Sequence, residues 1–207
     1  MRRSTTIQMV IFDLGNVLAK VKRNELAREL AKVSPLDPAA IEESVWGNSI
    51  ELDSETGRID SHEHFRRIKT AIQLRDDISY EMFQNIFLTG LEENAEGIEV
   101  LRNLHERGVR TSLLSNTSFL HARFVLNNEI LVTIPEFFIF SFKLGCMKPD
   151  PRLWKKALEY SHLSAEECIY IDDIPEFCTA ADQLGFNTIN YRIGKTRLME
   201  ELQKYRF

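Results

Sequence analysis

Carboxylates, one ammonium group and a hydroxyl–amide pair stand at or just beyond the ends of short apolar runs in this sequence. The residues concerned are Asp13, Ser115, Asn116, Lys148, Asp172 and Asp173. Clustered carboxylates repel one another unless a cation neutralises them, and oxygen ligands favour a hard ion such as magnesium. An ammonium group beside a hydroxyl and an amide can hold a dianion, and a carboxylate can act as a nucleophile. The residue types therefore indicate a site for a metal ion and an anion.

Each of these residues also has an ordinary structural explanation. The segment Asp13-Leu14-Gly15-Asn16 contains residue types that favour turns. Ser115-Asn116 and Asp172-Asp173 can each cap a following helix, and Lys148 can be a solvated loop charge. The choice between the two interpretations depends on whether the fold brings the residues together.

The apolar runs that precede the polar residues are typical of buried strands. The predicted strands are Ile7–Phe12, Val109–Leu114, Phe137–Phe140, Cys168–Ile171 and Phe186–Asn190. Predicted helices alternate with them at about 94–107, 117–127, 151–160, 175–184 and 196–205. This alternation predicts an α/β fold with a parallel sheet and helices on both faces. Ligands of such sheets bind beyond the carboxyl ends of the strands, so we expect the polar residues to face one crevice.

A helical segment interrupts this pattern after the first strand. Residues from about 22 to 91 contain four stretches with helical signals, and they show no strong strand pattern. Pro38 suits the first turn of the second helix. Asp60 can cap the third, with Glu63 completing a capping box. We therefore expect a helical insertion between the first strand and the rest of the sheet.

The bulk composition restricts the class of protein. With 207 residues, 43% hydrophobic and 28% charged, the chain suits one domain, or one core with an insertion. A net charge of -5 argues against broad nucleic-acid binding. Three cysteines without a C-x-x-C unit disfavour a disulfide scaffold or a zinc site. No apolar run approaches membrane-spanning length, and no signal-peptide pattern is present. We expect a soluble, cytoplasmic protein without nucleic-acid or membrane partners.

Four motifs in this order resemble those of the haloacid dehalogenase (HAD) superfamily of phosphohydrolases. They are Asp13-Leu14-Gly15-Asn16-Val17-Leu18, Leu114-Ser115-Asn116-Thr117, Lys148-Pro149-Asp150-Pro151 and Ile171-Asp172-Asp173. The resemblance spans nearly the whole chain. It implies a three-layer Rossmannoid core with a parallel sheet, formed by residues 1–20 and 93–207. It also implies a helical C1 cap, formed by residues 21–92, in which the turn Thr56–Asp60 resembles one common in such caps.

The resemblance also implies roles for the site residues. Asp13 would be the nucleophile, with Lys148 as the second catalytic residue that balances charge. Ser115, Asn116 and Lys148 would bind the phosphoryl group. Mg²⁺ would be held by Asp13, the carbonyl of Gly15, Asp172 and Asp173. The implied activity is that of a magnesium-dependent phosphatase that hydrolyses a small phosphomonoester, a sugar phosphate in the first instance, through an aspartyl-phosphate. The implied state is a monomer or homodimer.

Gly15 departs from the pattern of most phosphatases in the family. They carry there an aspartate that protonates the leaving oxygen and later activates water, which is typically worth about 10²–10⁴ in rate. The subgroup with Asp-Leu-Gly-Asn-Val, which resembles bacterial α-D-glucose-1-phosphate phosphatases, shares this glycine. One hypothesis is that an acidic anomeric leaving group tolerates the loss; another is that His121 supplies the proton, although a packing role is favoured for it. Two alternatives stay open: a metal-free haloacid dehalogenase, and a non-catalytic phosphate-binding protein.

Overall fold

The computed structural model describes residues 6–207 and contains seven strands. They are β1 (Met9–Phe12), β2 (Ala19–Val21), β3 (Leu91–Glu93), β4 (Arg110–Ser115), β5 (Phe138–Phe140), β6 (Cys168–Asp172) and β7 (Asn187–Asn190). Five of these form a parallel sheet in the order β5-β4-β1-β6-β7. The predicted α/β fold with a parallel sheet is therefore confirmed. The strand predicted from Ile7 begins at Met9, and the other predicted sheet strands begin or end within one residue of those observed.

Helices connect the strands. They are α1 (Arg23–Ala31), α2 (Pro38–Val45), α3 (Ser49–Glu55), α4 (Ser61–Ala71), α5 (Tyr80–Leu88), α6 (Ala95–Glu106), α7 (Phe119–Leu126), α8 (Glu129–Thr133), α9 (Ser141–Leu144), α10 (Arg152–Ser161), α11 (Pro175–Gln183) and α12 (Leu198–Leu202). A short 3₁₀ helix covers Ala165–Glu167. Within the described residues, no helix is long and apolar enough to cross a membrane.

β1 lies at the centre of the sheet and is buried on both faces. Successive side chains of a strand point to opposite faces. Val10 and Phe12 accordingly pack into one apolar cluster, and Met9 and Ile11 pack into a second. The two clusters make the layers above and below the sheet, which explains why the first strand is a continuous apolar run rather than an alternating one.

Five helices, α1 to α5, lie between β2 and β3, and the two short strands pair antiparallel with each other. This strand pair was not predicted. Four of the five helices begin at a residue whose side chain accepts a backbone N–H: Asp37, Asn48, Asp60 and Ser79. The predicted capping box at Asp60 forms only by half, because the Glu63 carboxylate pairs with Arg66 and Arg67 instead.

The helices α1 to α5 surround their own apolar cluster, which also includes Leu120 from α7. A second contact joins the end of α3 to the segment around α9. Gly57 has a φ of +67°, and a Cβ atom built there would overlap the carbonyl oxygen of Phe142. Glycine therefore lets the two backbones approach closely at this point.

Candidate active site

The candidate site lies at the carboxyl ends of β1, β4 and β6. Asp13 follows β1 directly, and its backbone N–H donates to the carbonyl oxygen of Ile171 at 2.9 Å. Ser115 and Asp172 are the last residues of their strands. Because the three strands are parallel neighbours, they deliver these side chains to the same edge of the sheet. Asp13, Ser115 and Asp172 are all buried.

Lys148 joins the strand ends although it comes from the loop between α9 and α10. Its Nζ donates to Asp13 Oδ1 and to Asp172 Oδ2, each at 2.7 Å, and to the Tyr170 hydroxyl at 2.9 Å. The side chain is 1% exposed. An ammonium group has three N–H donors, so three fixed partners satisfy Lys148. A phosphoryl group would therefore have to replace one of them to bind Nζ directly.

Tyr170 is a member of this network that the motifs did not reveal. Its hydroxyl accepts from Lys148 and donates to Asp172 Oδ2. Burial and then the neighbouring Asp172 carboxylate raise the pKa of Tyr170 well above its usual value, so the hydroxyl keeps its proton. Tyr170 stands two residues before Asp172 on the same strand and thus on the same face. That spacing is the signal by which the sequence could have identified it.

Burial raises the pKa of Asp13 to about 7, although the Lys148 ammonium acts in the opposite direction. The charges of Asp172 and Asp173 add to the increase. Burial also disfavours the charged form of Lys148, but the Asp13 and Asp172 carboxylates outweigh it and raise the pKa of Lys148. Asp13 must be ionised to attack, and a cation bound beside it would favour the ionised form.

Asn116 holds the Lys148 loop against the end of β4. The Lys148 backbone N–H donates to Asn116 Oδ1 at 2.7 Å, and Asn116 Nδ2 donates to the Lys148 carbonyl at 3.2 Å. The Ser115 hydroxyl donates to the Asn116 carbonyl at 3.2 Å. Ser115 and Asn116 both line the cavity above Asp13, as predicted phosphate ligands must. Asn116 has in addition a positioning role that the motif did not indicate.

Asp173 faces the same cavity and is tied to the first loop by Asn16. Asn16 Nδ2 donates to Asp173 Oδ2 at 3.0 Å, and its Oδ1 accepts the backbone N–H of Val21 at 3.2 Å. Asn16 has a φ of 52°, a region in which asparagine is enriched. Burial raises the pKa of Asp173, while the hydrogen bond from Asn16 lowers it.

Carboxylate oxygens of Asp13, Asp172 and Asp173 lie within 4.8 Å of one another. Three carboxylates and the single Lys148 ammonium leave a formal charge of about −2 when all are ionised, which a divalent cation would neutralise. Both Asp172 oxygens already accept hydrogen bonds, Oδ1 from the Ile174 backbone and Oδ2 from Lys148. Among the described residues, Asp13 Oδ2 and Asp173 Oδ1 accept none and so remain available. The donor set fits a hard cation of the Mg²⁺ type.

Gly15 lies in the loop after Asp13 and forms an isolated bridge with Ala19. A Cβ atom built at Gly15 would lie 3.4 Å from Val21 Cγ2 and 3.8 Å from Asp13 Oδ2, which are ordinary contacts. Space for a side chain therefore exists. The site lacks the usual acid because the residue is glycine, not because the backbone excludes a larger one.

A cavity of about 700 Å³ includes Asp13 in its lining, together with residues of both the core and the insertion. The insertion contributes Arg23, Trp46, Glu51 and Glu55 to its lining. Arg23 lies over the Trp46 ring at 5.8 Å and forms an ion pair with Glu51 at 3.6 Å. The motifs indicated none of these four as a site residue. Glu55 directly precedes the turn at Thr56–Asp60, which the sequence singled out as resembling a turn common in C1 caps.

His121 also lines the cavity, but it packs against Phe87 with ring centroids 4.7 Å apart. Burial, followed by the charges of His64 and Arg23, lowers the pKa of His121 to about 3. The imidazole is therefore neutral at physiological pH. This argues against the hypothesis that His121 replaces the missing proton donor and favours its packing role.

Comparison with known proteins identifies the relatives of this chain. Residues 7–185 match the family model described as haloacid dehalogenase-like hydrolase. The Phosphatase MT3486 of Mycobacterium tuberculosis is 24% identical over 199 residues, which cover 93% of this chain and 91% of that protein.

Two solved structures share the fold over nearly the whole chain. The HAD family enzyme bt-2542 of Bacteroides thetaiotaomicron, in complex with magnesium and inorganic phosphate, matches with a TM-score of 0.80 and 24% identity, covering 92% of this chain and 96% of that one. A predicted HAD-like family hydrolase of Porphyromonas gingivalis matches with a TM-score of 0.79 and 26% identity, covering 97% and 98%. An L-2-haloacid dehalogenase of Xanthobacter autotrophicus is more distant, with a TM-score of 0.67 and 18% identity over 96% and 83%.

Proposed function

Because this chain belongs to the haloacid dehalogenase-like hydrolase family, we propose that it is a magnesium-dependent phosphatase that forms an aspartyl-phosphate on Asp13. The observation that carries the proposal is the arrangement of three carboxylates around one fully buried ammonium group at the strand ends. One carboxylate oxygen of Asp13 is fixed by Lys148, which leaves the other for attack on phosphorus. The name of the mycobacterial relative and the phosphate complex of bt-2542 support phosphate ester chemistry.

The proposed first step is the attack of Asp13 Oδ2 on the phosphorus atom of a monoester. Lys148 favours the ionised form of Asp13 against the effect of burial, and it fixes the rotation of the carboxylate through the 2.7 Å hydrogen bond. The Ser115 hydroxyl and nearby N–H groups would bind the phosphoryl oxygens. Water would then cleave the acyl-phosphate, releasing inorganic phosphate and regenerating Asp13. Mg²⁺ would be held by Asp173, the Gly15 carbonyl and the second lone pair of Asp13 Oδ1, and it would reduce the repulsion between the attacking Oδ2 and the phosphate.

The placement of the Asp172 carboxylate refines its predicted role. Both its oxygens are engaged, one with Lys148 and Tyr170 and the other with the Ile174 backbone. We propose that Asp172 mainly positions Lys148 and supports the metal from behind Asp173. Asp173 then provides the more accessible oxygen for the cation.

The division into a core (residues 1–20 and 93–207) and a cap (21–92) is part of this proposal. Residues 1–5 of the first range lie outside the described residues. The cap would select the substrate, since it supplies one side of the cavity. A cavity of about 700 Å³ suits a small phosphomonoester such as a sugar phosphate.

The two alternatives predict different behaviour. A dehalogenase needs no cation, whereas Asp173 adds a negative charge that no ammonium or guanidinium group of the described residues pairs with. A non-catalytic binding protein would bind phosphate esters without turnover. Turnover measured with and without a divalent cation therefore distinguishes the phosphatase from both alternatives.

The test is release of inorganic phosphate from a panel of sugar phosphates, nucleotides and p-nitrophenyl phosphate, with Mg²⁺ or with EDTA. We expect turnover only with Mg²⁺, and a loss of at least about 10⁴-fold in Asp13→Asn, since that substitution removes the nucleophile. Full turnover in EDTA, or activity that survives in Asp13→Asn, would overturn the proposal.

A further inference from the structure

The proposed reaction needs a proton for the leaving oxygen, and the groups around Asp13 that were expected to supply one do not fit. Gly15 has no side chain, and the low pKa of His121 keeps it neutral. Lys148 donates all its protons to fixed partners, and Tyr170 donates to Asp172. The donor must therefore come from another side of the cavity.

Glu55 is the last residue of α3 and lines the same cavity as Asp13 and Lys148. Its carboxyl group is partly buried, and it makes no hydrogen bond or ion pair with any described residue. The following residue, Thr56, is buried, and Gly57 contacts the Phe142 carbonyl closely. The end of α3 is thus fixed against the core, which holds Glu55 over the crevice.

The electrostatic surroundings leave a substantial share of the Glu55 carboxyl groups protonated at neutral pH. Burial, followed by the nearby Glu51 charge, raises the pKa of Glu55 to about 7. Arg23 and Lys148 act in the opposite direction, and Asp13 adds to the increase. The influence of Lys148 and Asp13 shows that Glu55 shares the electrostatic field of the crevice. A general acid with a pKa near the working pH is the most effective.

We propose that Glu55, supplied by the helical insertion, is the general acid and base that replaces the side chain missing at Gly15. The inference rests on the proposed function and deepens it. It assigns the proton transfers of both steps to the insertion, so that residues of the insertion and of the core together complete the active site. It also removes the need for an unusually acidic leaving group.

The proposed reaction has two steps, and Glu55 regains its proton in the second. Asp13 Oδ2 bonds to phosphorus while the bond from phosphorus to the ester oxygen breaks, and the ester oxygen takes the electron pair and the proton of Glu55. The products are the free alcohol, the aspartyl-phosphate and the Glu55 carboxylate. Glu55 then takes a proton from water as the water oxygen attacks phosphorus. The bond to Asp13 breaks, its electron pair returns to the Asp13 carboxylate, and inorganic phosphate leaves.

The test compares phenyl phosphate with p-nitrophenyl phosphate, which have similar shapes but leaving groups of different acidity. In Glu55→Gln, we expect kcat/KM to fall by about 10²-fold or more for phenyl phosphate and by less than about 10-fold for p-nitrophenyl phosphate. Glu55→Asp should restore part of the loss. With p-nitrophenyl phosphate, Glu55→Gln should release a burst of p-nitrophenol equal to the enzyme, because water attack on the intermediate is slowed as well.

Glu25→Gln is the matched control, because it removes a carboxylate from the lining of the same cavity that is not among the main charges acting on Glu55. It should change kcat/KM by the same factor for phenyl phosphate and for p-nitrophenyl phosphate. If Glu55→Gln lowers kcat/KM equally for the two substrates, or does not lower it, the inference is overturned while the proposed function stays intact. Absence of turnover in the wild-type protein would instead overturn the proposed function.

The pH profile gives a second readout. For phenyl phosphate, kcat/KM of the wild type should fall above pH about 7, where Glu55 loses its proton. The charged groups that face Glu55 are Glu51 on its own helix, Arg23 on α1, and Lys148 and Asp13 in the crevice. Glu55→Gln retains all of these, so the disappearance of this fall in the variant assigns it to Glu55. Its persistence in the variant would contradict the inference.

Discussion

The crevice at the strand ends and the part of the insertion that lines the same cavity organise charge in different ways. In the crevice, Lys148 is fully buried and directly paired with Asp13 and Asp172. On the insertion, the Glu55 carboxyl group has no such partner among the described residues, and burial raises its pKa to about 7. Paired groups hold fixed charges, whereas an unpaired and partly desolvated acid is able to gain and lose a proton. We therefore assign phosphoryl binding and nucleophilic attack to the crevice, and proton transfer to the insertion.

The largest expected effect on stability comes from Lys148→Met, which removes the cation of the crevice. It leaves Asp13 and Asp172 buried next to each other without their cation, and we expect a loss of about 3–5 kcal/mol in the free energy of unfolding. Urea unfolding without Mg²⁺ measures this loss. Lys156→Met is the control, because it breaks the exposed pair with Glu159 and should cost far less. Similar losses in the two variants would show that the buried network does not stabilise the fold.

The two sides of the site also differ in how far the sequence predicts them. Asp13, Ser115 and Asp172 each end or follow a strand, and the alternation of strands and helices is a local signal. Their assembly at one edge therefore follows from the parallel topology alone. Lys148 lies in the loop between α9 and α10, so its place beside them follows less directly from the topology, and its motif supplied a second signal.

The contribution of the insertion could not be predicted in the same way. The helix α3 has seven residues, and its exposed Leu52 breaks any apolar stripe. β2 and β3 have three residues each and pair across a long sequence separation, so neither shows a local pattern. Glu55 reaches the crevice through packing between distant segments, such as that of Gly57 on Phe142. Such contacts leave no periodic signal in the sequence.

Gly57→Ala tests whether this contact holds the insertion on the core. A Cβ at Gly57 would overlap the Phe142 carbonyl, whereas one at Gly108, with a φ of +73°, would meet nothing within 4 Å. Both substitutions carry the strain of a positive φ, about 1–2 kcal/mol. Gly57→Ala should lose a further 1–3 kcal/mol or so from the steric overlap. Thermal or urea unfolding of both variants measures the difference, and equal losses would mean that the contact is not close in solution.

The double variant Gly15→Asp/Glu55→Gln tests whether an acid at position 15 can replace the acid at position 55. The space around Gly15 accepts a side chain, with its nearest contact at 3.4 Å. If Glu55 provides the acid, an aspartate at position 15 should restore kcat/KM for phenyl phosphate by at least about 10-fold. The single variant Gly15→Asp serves as the control for direct effects on Asp13. Failure to restore activity in a double variant that folds normally would argue that the two positions do not share a role.

The smallest expected effect concerns two histidines where the insertion meets the core. Burial lowers the pKa of His64 to about 4, and burial together with His64 and Arg23 lowers that of His121 to about 3. A lowered folded-state pKa gives stability that is complete above pH 6.5, where neither state is protonated. This stability is lost as the pH falls, because the histidines of the unfolded chain then bind protons while those of the folded chain stay neutral.

At pH 5.5, each of these histidines should therefore cost roughly 1 kcal/mol of unfolding free energy relative to pH 7.5. His64→Leu should remove about half of their combined pH dependence, as measured by urea unfolding at the two pH values. His105→Leu, which removes an imidazole at an exposed position on α6, is the control. If His64→Leu behaves like the control, the histidines are hydrated in solution, and the insertion contacts α7 less closely than the packing of His121 on Phe87 indicates. The carboxylates of the crevice are common to all the variants, so their titration cancels in the comparison.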